Sequence, residues 1–518
     1  MGRRARRDGW LPVLLLFTLC AASVTFVTVR SLSVPRTSVF EPLRTELWKT
    51  SSVDDPASPP TITLVESLPI GDFALKSVVP QTFDALYECT MKATKSIDLS
   101  AMYWNLLGKE DRQMYSDNEM TQFGADRGEK LLKALHDAVA RGVLLRVLTA
   151  KESISDSEQQ QKPQAGKLPE ELQQLVDAFP KQVQVRCWSG DEWYGGGILH
   201  QKIWIFDQRD VYVGSANMDW KSLAQVMEVG VLMENLASSS PLLVDMQKLF
   251  DTWWLWAAPD LPLQTSTYFS EKFRSELQVP SWSLYLPNEK RIADPFMKAH
   301  LASNGNISHQ IQVHFGSKEM EGAAALPASV FVAAAPLEAT AAHSRTFDED
   351  SLVYTIRSAK KRVSLSVMDF TSFSIYSVAS HSGPIWWSTL TDAILAGVYA
   401  MKGLHKHADL CKQMRDACSG KLEIKLFRVP GWSNTSSTAT SKAQWPSYTR
   451  VNHAKYIVTD VRANIGTSNM EWGYFYTTAG ASVNTNHEPT RQALENLFDR
   501  NWGSSYAQPL GESDAHQS

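Results

Sequence analysis

Cysteine is scarce in this chain, five in 518 residues, and neither sign of charge dominates, with 51 Lys and Arg against 55 Asp and Glu and a net charge of −4. So few cysteines exclude a disulfide-dense scaffold. The small acidic excess excludes a chain-wide basic surface of the kind that holds duplex nucleic acid by counterion release, so any phosphate recognition must be local. A hydrophobic fraction of 43% excludes disorder over most of the length, and such a chain is large enough for two or three domains whose cores need no disulfide or metal staple. Metal-ligand clusters are also missing: His405 and His407 form a pair without a third ligand at a useful spacing, which reads as a solvated turn and predicts no metal and no cofactor.

Charge returns at the N-terminus. Arg3, Arg4, Arg6 and Arg7 precede Trp10 to Val29, a stretch without a charged residue, and Arg30 closes it. That length just spans a hydrocarbon core, and the arginine asymmetry keeps residues 1–9 in the cytoplasm, with the body luminal or outside the cell. The expectation is a type II signal anchor at 10–29. A cleaved signal peptide with small residues at Ala21, Ala22 and Ser23 is the alternative, and it would release a soluble luminal form. Residues 30–60, rich in Ser, Thr and Pro, read as a stalk. Two sequons, Asn306-Ile-Ser308 and Asn434-Thr-Ser436, are expected glycosylation sites. Four cysteines face that compartment: Cys411 and Cys418 are the most plausible pair, while Cys89 and Cys187 read equally well as buried thiols.

The chain repeats itself. Ile97 to Trp104 lines up with Val363 to Phe370, Val183 to Trp188 with Leu422 to Phe427, and Leu199 to Trp220 with Asn452 to Trp472. Strand-like runs alternate with helical stretches such as Gly128 to Arg141, so two α/β halves are predicted, with mixed sheets flanked by helices and packed about a pseudo-twofold axis. The halves span 61–260 and 311–507, joined by a linker at 261–310 and followed by a tail at 508–518. One element breaks the symmetry: the strand Val143 to Leu148 has no visible counterpart around Leu404 to Asp409, so the second sheet is altered or shortened.

The chemistry lies in the repeat. His200-Gln-Lys202 is followed by Asp207 and by Gly214-Ser-Ala-Asn217; 253 residues after His200, His453-Ala-Lys455 is followed by Asp460 and by Gly466-Thr-Ser-Asn469. Residues i and i+2 of a strand share a face, so each His and Lys point together, while Asp207 and Asp460 turn away and fix the strand-turn-strand that returns each Asn beside its His. Packed together, the halves gather two imidazoles, two ammonium groups and two carboxamides. That set suits a phosphoryl group in flight without a metal ion. One His attacks phosphorus and the other protonates the leaving oxygen, which predicts a mildly acidic optimum. Glu228, in an apolar stretch eleven residues after Asn217, has Gly480 as its counterpart; it is expected to activate the histidine of its own half, making His200 the nucleophile and His453 the general acid.

Blander readings compete at each point. A lone His-x-Lys is usually a surface pair, and duplication with matching Gly and Asn is what reverses the odds. Glu228 could serve only in an ion pair, and the clusters Trp253-Trp254-Leu-Trp256 and Trp386-Trp387 suit core packing better than base stacking.

At these residues the chain resembles the phospholipase D superfamily, whose duplicated His-x-Lys-x4-Asp motif both sites match. The runs Leu64 to Pro69, Gly214 to Trp220, Arg450 to His453 and Gly466 to Asn469 resemble most the type II, membrane-anchored subgroup of the endolysosome, members three and four, over roughly Thr61 to Tyr506. The resemblance implies a metal-independent phosphodiesterase working through a phosphohistidine, with His200, Lys202, Asn217, Glu228, His453, Lys455 and Asn469 in the site. It also implies 5′ exonuclease action on single-stranded DNA and RNA, with lipid transphosphatidylation attributed too. The polar stretch Glu152 to Gly166 reads as an inserted loop. Expected partners are single-stranded nucleic acid or phospholipid, the membrane through the N-terminal helix, and a second copy of the chain. The rivals are a phospholipase D or transphosphatidylase, and a catalytically impaired binding protein.

Overall fold

The computed structural model describes residues 59–151, 168–190, 196–257, 309–316, 324–336, 345–374, 385–400, 422–432 and 443–509. Near-continuous apolar runs become strands covered on both faces, the setting such runs require. Thr61–Ser67 (β1) is buried at all but its first residue. Ser96–Ala101 (β2), Leu144–Ala150 (β3), Val183–Trp188 (β4), Ile203–Phe206 (β5), Asp210–Gly214 (β6) and Glu228–Glu234 (β7) complete the first half. The second half supplies His309–Phe315 (β8), Leu326–Ala335 (β9), Val363–Ser366 (β10), Tyr456–Thr459 (β11), Ala463–Gly466 (β12) and Gly480–Thr485 (β13).

These strands form one sheet, in the order β10, β11, β12, β13, β9, β8, β1, β7, β6, β5, β2, β3, β4. The two sheets expected for the two halves are therefore fused. Strand β1 pairs antiparallel with β7 along its whole length, and on its other side it runs parallel to β8 at Thr61↔His314 and Ile62↔Phe315. The fusion is made by these two residue pairs at the start of β1 and the end of β8.

The broken symmetry takes a definite form. Strand β2 carries β3 on its outer side, parallel over six residue pairs, and β4 lies beyond. Its match β10 pairs with β11 and ends the sheet among the described residues. Lys425–Phe427, the match to β4, pairs instead with Ala507–Pro509 in a separate ribbon. The stretch Leu404 to Asp409, where no counterpart of β3 is visible in the sequence, lies outside the described residues.

Helices cover the sheet by the usual spacing. In Asp126–Ala140, Leu131, Leu135 and Ala138 are buried while Lys130 and Lys133 face solvent. Trp253, Trp254 and Trp387 of the Trp clusters pack in the core: Trp253 meets Trp188 edge to face at 4.9 Å, and Trp387 donates from Nε1 to Glu349 and stacks on Phe475. The ends of the fold are tied by Arg500, from the helix Glu488–Trp502, on the Glu66 carboxylate of β1 at 2.7 Å. Cys89 and Cys187 are free thiols. Among the described residues no helix is long and apolar enough to cross a membrane. Outside them lie the expected anchor at 10–29, the expected loop at 152–166, Asn306, His405, His407, Cys411, Cys418 and Asn434.

Candidate active site

Each His-x-Lys segment lies in the extended lead-in just before a strand, His200 and Lys202 before β5, His453 and Lys455 before β11. The two lead-ins are held by the opposite half, and in matching fashion. The His200 amide donates to the Ala479 carbonyl at 2.9 Å, and the His453 amide to the Met227 carbonyl at 2.8 Å. Gly197 makes the first approach possible: its φ is +87°, and a Cβ there would sit 2.1 Å from the Thr477 carbonyl oxygen. The result brings the imidazoles of His200 and His453 together across the halves in an edge-to-face arrangement, with ring centroids 6.3 Å apart and planes 66° apart.

Lys202 and Lys455 stand beside them, each donating from Nζ to the carbonyl of its own histidine, at 2.9 and 2.6 Å. Both are almost fully buried. Burial, and for Lys202 the nearby Lys455 charge, pushes Lys202 well below the ordinary lysine range; burial pushes Lys455 down to about 7 against the opposing pull of Glu228 and Asp369. Such a pocket is short of negative charge, and a phosphate would restore both ammonium groups.

The carboxylate of Glu228 does not meet the histidine of its own half. It lies 2.9 and 3.0 Å from Nδ1 of His453 and takes a hydrogen bond from Ser222 Oγ at 2.9 Å. This corrects the expectation that Glu228 activates His200. The reason is the same crossed pairing: Met227 bridges Asn452 while Ala479 bridges Leu199, so the residue after each bridge faces the other half's histidine. For His200 that residue is Gly480, where a Cβ would fall 2.3 Å from Ser468 Oγ. Nδ1 of His200 is buried without a well-formed hydrogen bond, beside the Thr467 backbone. Burial and the flanking Lys202, Lys455 and His453 hold His200 far below the ordinary histidine value. Burial also lowers His453, but there Glu228 pulls upward.

Asn217 and Asn469 have different neighbours. Asn217 donates to the Tyr103 hydroxyl at 3.4 Å, and Tyr103 in turn donates to Asp219 at 2.9 Å. Asn469 donates to Asp369 at 2.8 Å and to the Tyr474 hydroxyl at 3.2 Å. Asp207 and Asp460 are away from the reacting groups. Asp207, at φ +53°, accepts from the amides of Thr94, Lys95 and Ser96 and from the Thr94 hydroxyl; Asp460 accepts from the amides of Lys360, Lys361 and Arg362. Each carboxylate fastens its hairpin to the chain entering the neighbouring strand, β2 or β10. Tyr103, Ser222, Asp369 and Tyr474 were missed from sequence. Their signal was the repeat: Tyr103 aligns with Asp369, and Ser222 and Tyr474 each stand five residues after the site Asn.

A buried pair of opposed imidazoles between two buried lysines, with no metal-holding cluster among the described residues, is equipped for acid-base and nucleophilic chemistry on an anion. The comparisons with known proteins agree with that class. The family model described as "Cardiolipin synthase, PLD-like domain" matches residues 88–254. The virion nicking-joining enzyme of vaccinia virus (strain Western Reserve) is 30% identical over 465 residues, 86% of this chain and 89% of that protein. Phospholipase D Z of Dictyostelium discoideum is 29% identical over 464 residues, 87% of this chain and 91% of that protein. The 5′-3′ exonuclease PLD3 of Xenopus laevis is 27% identical over 477 residues, covering 86% and 80%. The chain belongs to the phospholipase D superfamily, a family of phosphodiesterase-type enzymes.

Proposed function

We propose that this enzyme is a metal-independent phosphodiesterase that works through a phosphohistidine, and that it removes nucleotides from the 5′ end of single-stranded DNA or RNA in the endolysosome. The observation that carries the chemistry is the pair of imidazoles with centroids 6.3 Å apart, a separation that one phosphoryl group can bridge. In the first step Nε2 of neutral His200 attacks phosphorus, the bond to the leaving oxygen breaks, and His453 gives that oxygen its proton. In the second, water attacks the phosphohistidine, the P–N bond breaks, and His453 takes the water's proton. Lys202, Lys455, Asn217 and Asn469 hold the nonbridging oxygens.

The role assignment rests on charge. Glu228 favours the imidazolium on His453, which an acid needs, whereas His200 sits between cations with no carboxylate and stays neutral, which a nucleophile needs. The nucleic-acid reading draws support from the exonuclease and the nicking-joining enzyme among the relatives. Phospholipid as substrate is the second reading, favoured by the similar Dictyostelium phospholipase and by the uncharged stretch Trp10 to Val29, which as an anchor would hold a luminal body at a membrane.

End-labelled single-stranded DNA and phosphatidylglycerol, offered side by side to the enzyme across pH 4.5–7.5 with chelator present, test the substrate. Shortening from the labelled 5′ end supports the proposal; headgroup exchange without DNA cleavage refutes it in favour of lipid. His200→Ala should abolish covalent labelling by substrate and His453→Ala should still trap the adduct; the reverse pattern overturns the roles.

A further inference from the structure

The duplication places a matching residue beside each histidine, and the two have diverged. Ser222, five residues after Asn217, hydrogen-bonds the Glu228 carboxylate that grips His453. Tyr474, five residues after Asn469, has no such acid to serve, because Gly480 occupies the matching place and its neighbour Ser468 leaves no room for a side chain. Instead the Tyr474 ring meets His200 edge to face, with centroids 5.1 Å apart and planes 85° apart, while its hydroxyl accepts from Asn469 at 3.2 Å. We propose that Tyr474 is the positioning residue of His200: its ring fixes the imidazole plane where Glu228 fixes that of His453, and it does so without adding charge.

The physical case starts from what His200 lacks. A nucleophilic imidazole must keep one nitrogen aimed at phosphorus, yet His200 has no side-chain partner at Nδ1 to match the Glu228 grip on His453, only the Thr467 backbone beside it. A carboxylate would hold it, but would also favour the protonated form, which cannot attack. An edge-to-face aromatic contact restrains the ring and adds no net charge. Its hydroxyl is only one of two acceptors for Asn469, which also donates to Asp369 at 2.8 Å, so the positioning role is assigned to the ring. The inference rests on the reading of His200 as nucleophile.

The test uses the full chain and bis(p-nitrophenyl) phosphate, whose leaving group departs without a proton and whose use requires neither nucleic acid nor lipid. Phenolate release is followed under single-turnover conditions for Tyr474→Leu and Tyr474→Phe, with Tyr474→Gln as a second ring-free variant should the leucine variant not fold. Loss of alignment at a reacting atom costs on the order of 10- to 100-fold, so the ring-free variants should slow release by that much with KM within about threefold of wild type, while Tyr474→Phe stays within about threefold in rate. A ring-free variant that folds and releases phenolate at the wild-type rate overturns the proposal. So does a phenylalanine variant as slow as the ring-free ones, which would make the hydroxyl the working part. The underlying reading fails separately: an adduct mapped by mass spectrometry to His453 in the wild-type enzyme removes the role assignment, whatever position 474 does.

Discussion

Glu228→Gln isolates what the crossed carboxylate does. The substitution keeps the shape of the side chain and its bond to Ser222 but replaces a charged partner of His453, 2.9 Å from Nδ1, with a neutral one. Glu228 is fully buried, so solvent does not screen the lost charge. A hydrogen bond to a charged group contributes about 1.5–3 kcal/mol and a neutral one about 1, so the imidazolium should lose roughly 1–2 kcal/mol, or about one pH unit on the 1.36 kcal/mol scale. His453 already lies below its ordinary value because of burial. An acid that must be protonated loses activity as pH rises through its pKa, so the alkaline limb of the rate profile should move about one unit further into acid. At pH values above that limb the variant should be about 5- to 30-fold slower on an alkyl-oxygen leaving group; at lower pH the two enzymes should converge. The discriminating assay compares a dinucleotide with bis(p-nitrophenyl) phosphate in single turnover, because p-nitrophenolate leaves without a proton. An equal loss on both substrates, or an unmoved alkaline limb, would refute the reasoning that Glu228 acts by keeping a proton on His453.

Inorganic phosphate should bind with net proton uptake at pH 7.5–8, about one to two protons per site, because Lys202 is held well below its ordinary value and Lys455 down to about 7, and an anion restores their affinity for a proton; calorimetry in buffers of different ionisation enthalpy reads the sign, and release instead of uptake refutes it. Asp207→Ala removes an acceptor shared by four donors around Thr94 to Ser96. It should cost about 2–4 kcal/mol of stability in denaturant titration while the folded fraction keeps its rate; a catalytic defect at full stability would place Asp207 in the chemistry after all. Gly197→Ala forces a left-handed φ and a 2.1 Å clash with the Thr477 carbonyl, so both melting temperature and activity should fall, since the strained turn leads directly to His200.

How much of this was legible in the sequence differs by kind. The duplication, the strand at each motif and the inward direction of His200, Lys202, His453 and Lys455 follow from period and spacing, which are local properties of a chain. The turned-away role of Asp207 and Asp460 followed from the same alternation. Fusion of the halves into one sheet was not legible, because only two residue pairs join β1 to β8, too few to leave a pattern. Nor was the fate of Lys425–Phe427: its apolar alternation is that of a strand, and which ladder it joins depends on Ala507–Pro509, some 80 residues downstream.

Glu228 shows why the site itself resisted a half-by-half reading. In sequence it belongs with Asn217 and His200, and a carboxylate is naturally assigned to the nearest histidine of its own repeat. In the fold, each half lends the residue after its bridge, Glu228 or Gly480, to the other half's histidine. An acid kept in one copy and lost from the other therefore makes the two imidazoles unlike even though both motifs are intact. Neither half alone contains a histidine with its own support, so the division into proton holder and neutral base arises only when the two are folded together. That ties the chemistry to the contact between halves: a substitution that loosens the Leu199↔Ala479 or Met227↔Asn452 bridge should impair the reaction without touching any reacting atom.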